Sequence, residues 1–199
     1  MHNHNFLSIA TAPVLTEKTA QALELNKILK EKSITTFFQP IVNLQDGSVL
    51  GYEALSRGPL NSILASPDQL FSVANDLEKT WELDYLCRIT AIETAFPSIN
   101  DKILFINVDP KVLYDKFFHH GSTKVILAEH TIDISQIVFE ITEKTAITDL
   151  ANFKDILENY RSQGYRLALD DVGSGYSGLT LLAQTSPQFI KIDLELIRN

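Results

Sequence analysis

Glu53, Asn107, Asp109, Glu140, Glu143, Asp170, Asp171, Lys191 and Asp193 stand at or near the C-terminal ends of successive apolar, strand-like runs. Taken singly, an acid in such a place caps a helix or solvates a loop. Gathered at one sheet edge, the carboxylates would repel one another unless something positive sat between them. Oxygen donors without His or Cys companions suit a hard cation such as Mg²⁺ or Mn²⁺ and suit Zn²⁺ less well. The histidines give no support for a metal role. His2 and His4 lie in the opening segment, His119 and His120 in a loop-like stretch and His130 on a polar segment, and all read as solvated surface groups. No Ser sits in a strand-to-helix elbow, which disfavours a Ser-His-Asp hydrolase. The lone Cys87 excludes an intrachain disulfide framework and a cysteine-rich zinc site, and favours a reducing compartment.

The stretch Asp170 to Gly178 carries a second signal. Gly173, Gly175 and Gly178 spell G-x-G-x-x-G between a strand and a helix, and Asp193 follows where a ribose-binding acid would be expected. Two adjacent carboxylates at the mouth of that loop would repel a pyrophosphate unless a metal ion intervened. The glycines read better as a sharp, flexible turn packed over a metal site.

These residues need a frame that brings strand ends together. Thr16 to Lys32 places Ala22, Leu25 and Leu29 at helical spacing and reads as a leader helix. Thr36 to Leu44 and Val49 to Arg57 are strand-like runs joined by Gln45-Asp46-Gly47-Ser48, a link short enough for an antiparallel hairpin. Further strands are expected at Ile103 to Val108, Ile137 to Ile141, Arg166 to Val172 and Phe189 to Leu194, separated by long stretches of helical pattern. One such stretch opens at Ser66-Pro67 and runs through Leu70, Phe71, Ala74 and Leu77 toward Trp81, Leu86, Ile89 and Ile92. Another, Asp149 to Gln163, places Phe153, Ile156, Leu157 and Tyr160 on one face and ends at Gly164. Long crossovers imply parallel strands, and the alternation supports either a barrel or an open doubly wound sheet.

Composition agrees with a globular α/β chain: 199 residues, 45% hydrophobic and 21% charged, with 17 Lys and Arg against 25 Asp and Glu for a net charge of −8. That balance argues against a grip on polymeric DNA or RNA, which needs clustered Lys and Arg. No run approaches the roughly 18 to 20 apolar residues of a membrane span. Ala10-Thr11-Ala12 imitates a signal cleavage site, but no Lys or Arg precedes it and the apolar stretch is short; residues 1–15 read as a flexible, cytoplasmic N-terminus.

Six motifs in order now resemble one family. Gln39-Pro40-Ile41, Tyr52-Glu53-Ala54-Leu55-Ser56-Arg57, Asn107-Val108-Asp109-Pro110, Glu140-Ile141-Thr142-Glu143, Asp170 to Ser177 and Lys191-Ile192-Asp193 look like the signature series of EAL domains. The resemblance implies a modified TIM barrel with an antiparallel first strand, which hydrolyses cyclic di-GMP to linear pGpG with two Mg²⁺ or Mn²⁺ ions. Carried over by position, it makes Glu53, Asn107, Glu140, Asp170 and Asp171 metal ligands, with Asp171 placed to touch both ions. Lys191 would orient or deprotonate the attacking water. Arg57 would hold a ligand phosphate, Gln39, Asp193 and the Leu55 backbone would meet the nucleotide, and Glu143 would pin the Asp170 to Ser177 loop that couples the metal site to a homodimer. The alternative is a noncatalytic cyclic di-GMP receptor or interaction module.

The resemblance also sets an expectation about extent. Residues 16–35 read as a leader helix and 36–199 as an EAL domain holding about six of eight barrel strands, lacking the last two β-α units. The chain is therefore expected to be a piece of a longer phosphodiesterase, with weak or no turnover by itself.

Overall fold

The structure, a computed structural model, describes residues 16–142, 150–173 and 178–198. Helix α1 (Glu17–Glu31) starts where the Thr16 hydroxyl accepts the Thr19 amide at 3.3 Å, which satisfies one of the otherwise orphaned first-turn donors. Its Leu25 and Ile28 are fully buried against Leu64, Leu70, Val73, Leu83 and Cys87 of the segments that follow. Strands β1 (Thr35–Val42) and β2 (Val49–Arg57) form the expected antiparallel hairpin. Gly47 takes φ +72° in the turn and donates its amide to the Asn43 carbonyl at 2.8 Å. At Gly51, a Cβ would come within 2.3 Å of the Ile103 carbonyl oxygen, so only glycine lets β2 approach its parallel neighbour there.

The single helical stretch read from Ser66 to Ile92 is instead two helices, α2 (Pro67–Asp76) and α3 (Thr80–Ala95). Glu78 breaks it by adopting φ +54°, and the Lys79 amide turns back to the Ala74 carbonyl at 2.8 Å. Periodicity could not show this, because the apolar positions resume almost in phase after the turn.

Beyond α3 come β3 (Ile103–Asn107), α4 (Ser122–Glu129), β4 (Ile137–Thr142), α5 (Leu150–Ser162), β5 (Arg166–Val172), α6 (Gly178–Thr185) and β6 (Phe189–Ile192). Short 3₁₀ turns at Pro110–Tyr114, Ile134–Gln136 and Leu194–Leu196 complete the described elements. All six strands form one sheet in the order β1-β2-β3-β4-β5-β6, antiparallel at β1-β2 and parallel thereafter.

The two faces of the sheet divide the side chains. Leu104, Ile106, Ile137, Phe139, Ile141, Leu167 and Leu169 point outward into the main core, with Ala91, Ile92, Phe153, Ile156 and Tyr160 of the covering helices. Phe105, Val138 and Ala168 point the other way and pack with Ile41, Ile103 and Phe189. This inner cluster is the floor on which the polar strand ends stand.

Candidate metal centre at the C-terminal strand ends

Alternation along each strand carries the inward face from apolar floor to polar rim: Phe105 to Asn107, Val138 to Glu140, Ala168 to Asp170, and Phe189 to Lys191. On β2, Glu53 is paired with Phe105 and lies on the same face. Oxygen atoms of Glu53, Glu140 and Asp170 come within 4.8 Å of one another. The Lys191 Nζ sits among them, 2.8 Å from Glu53 Oε2, 3.1 Å from Glu140 Oε1 and 3.4 Å from Asp170 Oδ2. Asn107 donates from Nδ2 to Glu53 Oε1 at 3.3 Å.

This meeting requires a curled sheet. Glu53 on β2 and Lys191 on β6 are four ladder steps apart, roughly 19 Å across a flat sheet at about 4.8 Å per step. The two side chains could not jointly span that distance. Their contact shows that the sheet closes toward a barrel.

Electrostatics within the cluster are short of positive charge. Burial pushes the Glu140 carboxyl up to about 8 against the pull of the Lys191 ammonium, and the like charges of Glu53 and Asp170 add to the rise. For Lys191, burial acts to lower the pKa, but Glu140, Asp170 and Glu53 outweigh it and hold the ammonium above its ordinary range. The Glu140 side chain is fully buried, and its Oε1 lacks a hydrogen bond although the Lys191 ammonium lies nearby. Three close carboxylates, one with a buried oxygen left over, fit a divalent cation bound through oxygen.

The remaining residues singled out in the sequence are spread around this centre. Gln39 is paired with Glu53 across the hairpin. Asp171 adopts φ +55°, and its amide donates to Asp170 Oδ1 at 2.9 Å, so the adjacent pair is folded back on itself. Leu55, Arg57 and Asn107 line one cavity of about 270 Å³ together with Phe71. The Arg57 guanidinium donates to the Ser56 carbonyl at 2.8 Å. A second cleft of about 590 Å³ shares Asn107, Pro67 and Phe71 and adds Asp109, Lys111 and Thr142. Asp193 caps the final 3₁₀ turn, accepting the Glu195 amide at 2.8 Å. Glu143 and Ser174 to Ser177 lie outside the described residues. His119, His120 and His130 are exposed, as expected from the sequence.

One polar pair escaped the sequence reading. Asp84 and Arg88, 3% and 2% exposed, form a buried ion pair one turn apart on α3. Two opposite charges four apart in an otherwise apolar stretch were the available signal. Only the fold shows that the strand end carrying Asn107 passes over them.

Among the described residues no helix is long and apolar enough to cross a membrane. A family model described as EAL domain matches residues 22–199. The chain is 32% identical over 163 residues to a protein of Escherichia coli K12 named probable cyclic di-GMP phosphodiesterase PdeI, covering 78% of this chain and 21% of that one. It therefore spans about a fifth of that relative's length. Among solved structures, the manganese and cyclic di-GMP complex of Klebsiella pneumoniae BlrP1 at pH 6 is similar, with a TM-score of 0.74 and 32% identity over 83% of this chain and 42% of that one. The cyclic di-GMP-bound form of a standalone EAL protein from Vibrio cholerae O395 has a TM-score of 0.69 and 38% identity, covering 83% and 68%.

Proposed function

This chain belongs to the EAL domain family, and from that premise we propose that it is the catalytic part of a metal-dependent phosphodiesterase that opens cyclic di-GMP to linear pGpG. The observation that carries the proposal is the convergence of Glu53, Glu140 and Asp170 around Lys191, beside two clefts that share Asn107. Glu53, Glu140 and Asp170 would hold the cation, with Asn107 and Asp171 completing its surroundings. A bound divalent ion supplies a water of lowered pKa and neutralises charge on the leaving oxygen.

The chain's own residues do the rest. Lys191 is within reach of the three carboxylates, so its ammonium can orient a water between them and the phosphodiester. Arg57 is the cation on the cavity wall beside Asn107; turned from the Ser56 carbonyl, its planar fork suits a phosphate. The apolar wall formed by Pro67 and Phe71 suits the flat face of a base. A chain of net charge −8 has to bind a dianion through such local cations, because its global field is unfavourable. The pair of Mg²⁺ or Mn²⁺ ions, the homodimer and the cytoplasmic setting rest on the resemblance of the motif series.

Incubation with cyclic di-GMP and Mn²⁺ tests the proposal. Slow release of pGpG that disappears in Glu53→Ala is the expected result. Tight binding without product would sink hydrolysis by this chain itself and leave it a nucleotide receptor.

A further inference from the structure

The Asp84–Arg88 pair is buried where a charge pair is costly unless its geometry is fully used. It is fully used. Arg88 binds the Asp84 carboxylate through Nη2 and donates from Nη1 to Thr123 Oγ1 on α4 at 3.1 Å. Its guanidinium lies 5.1 Å from the ring centre of Phe139 on β4 and 5.9 Å from that of Trp81. The second Asp84 oxygen, Oδ1, accepts the backbone amide of Asp109 at 3.1 Å.

That amide occupies a particular place. Val108 makes the last bond of the β3-β4 ladder, donating to the Glu140 carbonyl at 3.0 Å. The Asp109 amide is the first beyond the sheet, where the chain turns into the 3₁₀ segment that Asp109 itself caps. Without Asp84 it would need another acceptor, and the end of β3 would be free to shift. Two residues back is Asn107, which donates to Glu53 in the acidic cluster.

We propose that Asp84, clamped by Arg88, is a positioning residue: it fixes the end of β3 through the Asp109 amide and so sets the Asn107 carboxamide against Glu53. The consequence for metal affinity rests on the phosphodiesterase reading; the anchoring does not. Outer supports of this kind typically change metal affinity by about 10- to 100-fold when removed.

Two readouts on the full chain separate these claims. In hydrogen exchange followed by mass spectrometry, Asp84→Ala should speed exchange of peptides containing Asp109, Asp84→Asn should restore protection through its remaining carbonyl, and Thr123→Ala should leave those peptides unchanged. In calorimetric titration with Mn²⁺ alone, Asp84→Ala should weaken binding about tenfold, and Asp84→Ala added to Asn107→Ala should cost no more than Asn107→Ala by itself. Thr123→Ala serves as the structural control: it should lower the melting temperature but keep Mn²⁺ affinity within about twofold. Unchanged exchange at Asp109 in Asp84→Ala overturns the anchor. Faster exchange with wild-type Mn²⁺ affinity overturns the link to the site. An unsubstituted chain that binds no Mn²⁺, yet shows Asp84-dependent protection, overturns the metal reading and keeps the anchor.

Discussion

Lys191 is a counter-charge as well as a candidate catalytic group. Its side chain is 28% exposed and faces three more deeply buried carboxylates. With a chelator present, Lys191→Met should therefore destabilise the chain by about 2 kcal/mol, less than the full cost of breaking a buried pair because solvent screens the site. Mn²⁺ should restore most of that loss, since the same carboxylates accept it. Urea unfolding with and without Mn²⁺ measures both numbers, and a deficit indifferent to Mn²⁺ would refute the role. A different residue-scale effect governs high pH. Burial pushes the Cys87 thiol and the Tyr160 and Tyr165 phenols up to about 12, whereas in the unfolded chain they ionise near about 8.5 and about 10. The folded state keeps protons that the unfolded state releases, so their stabilising contribution is complete below about pH 8.5 and is lost as pH rises toward 12. These three groups should leave the melting temperature unaffected up to about pH 8.5 and lower it beyond, on top of the fall that Glu140, held up to about 8, imposes between pH 4.5 and 8. Cys87 should resist alkylation at pH 8 until the chain is unfolded.

At the scale of elements, the turn between α2 and α3 holds a strained backbone position outside the site. Glu78 is exposed and takes φ +54° without a glycine's freedom, a conformation that costs an L-residue about 1 kcal/mol or more. Glu78→Gly should relieve that strain; after the extra entropy of a glycine in the unfolded chain, a net gain of about 0.5 kcal/mol is expected in thermal or urea unfolding. A loss would mean that the Glu78 side chain makes a compensating interaction. The same turn shows why element boundaries were only partly legible. The hairpin announced itself through Asp46-Gly47, and β5 through an apolar run that ends in Asp170-Asp171. The α2-α3 break had no glycine or proline to mark it, and its position was decided by Ala74 and Leu83 packing on α1 in one apolar cluster.

For the whole molecule, the unbalanced feature is the outer face of β6. Ile190 and Ile192 remain 49% and 58% exposed, and Leu194, Leu196 and Ile197 continue the apolar surface beside a strand paired on one side among the described residues. Such an edge invites association. Light scattering over a concentration series should show self-association that Ile192→Lys reduces, and association unaffected by that change would place the contact elsewhere. Which residues could carry chemistry, and how strands and helices alternate, were legible in the amino-acid order, because both are local: a carboxylate after an apolar run, a turn set by Asp-Gly, a crossover too long for a hairpin. That order left barrel and open sheet as alternatives from pattern alone. How Glu53 on β2 meets Lys191 on β6, and which buried pair holds the strand end between them, became visible in the folded chain. Those distances depend on the curl of the sheet and on α3 lying against β2 and β3, neither of which is written in the spacing of any single segment.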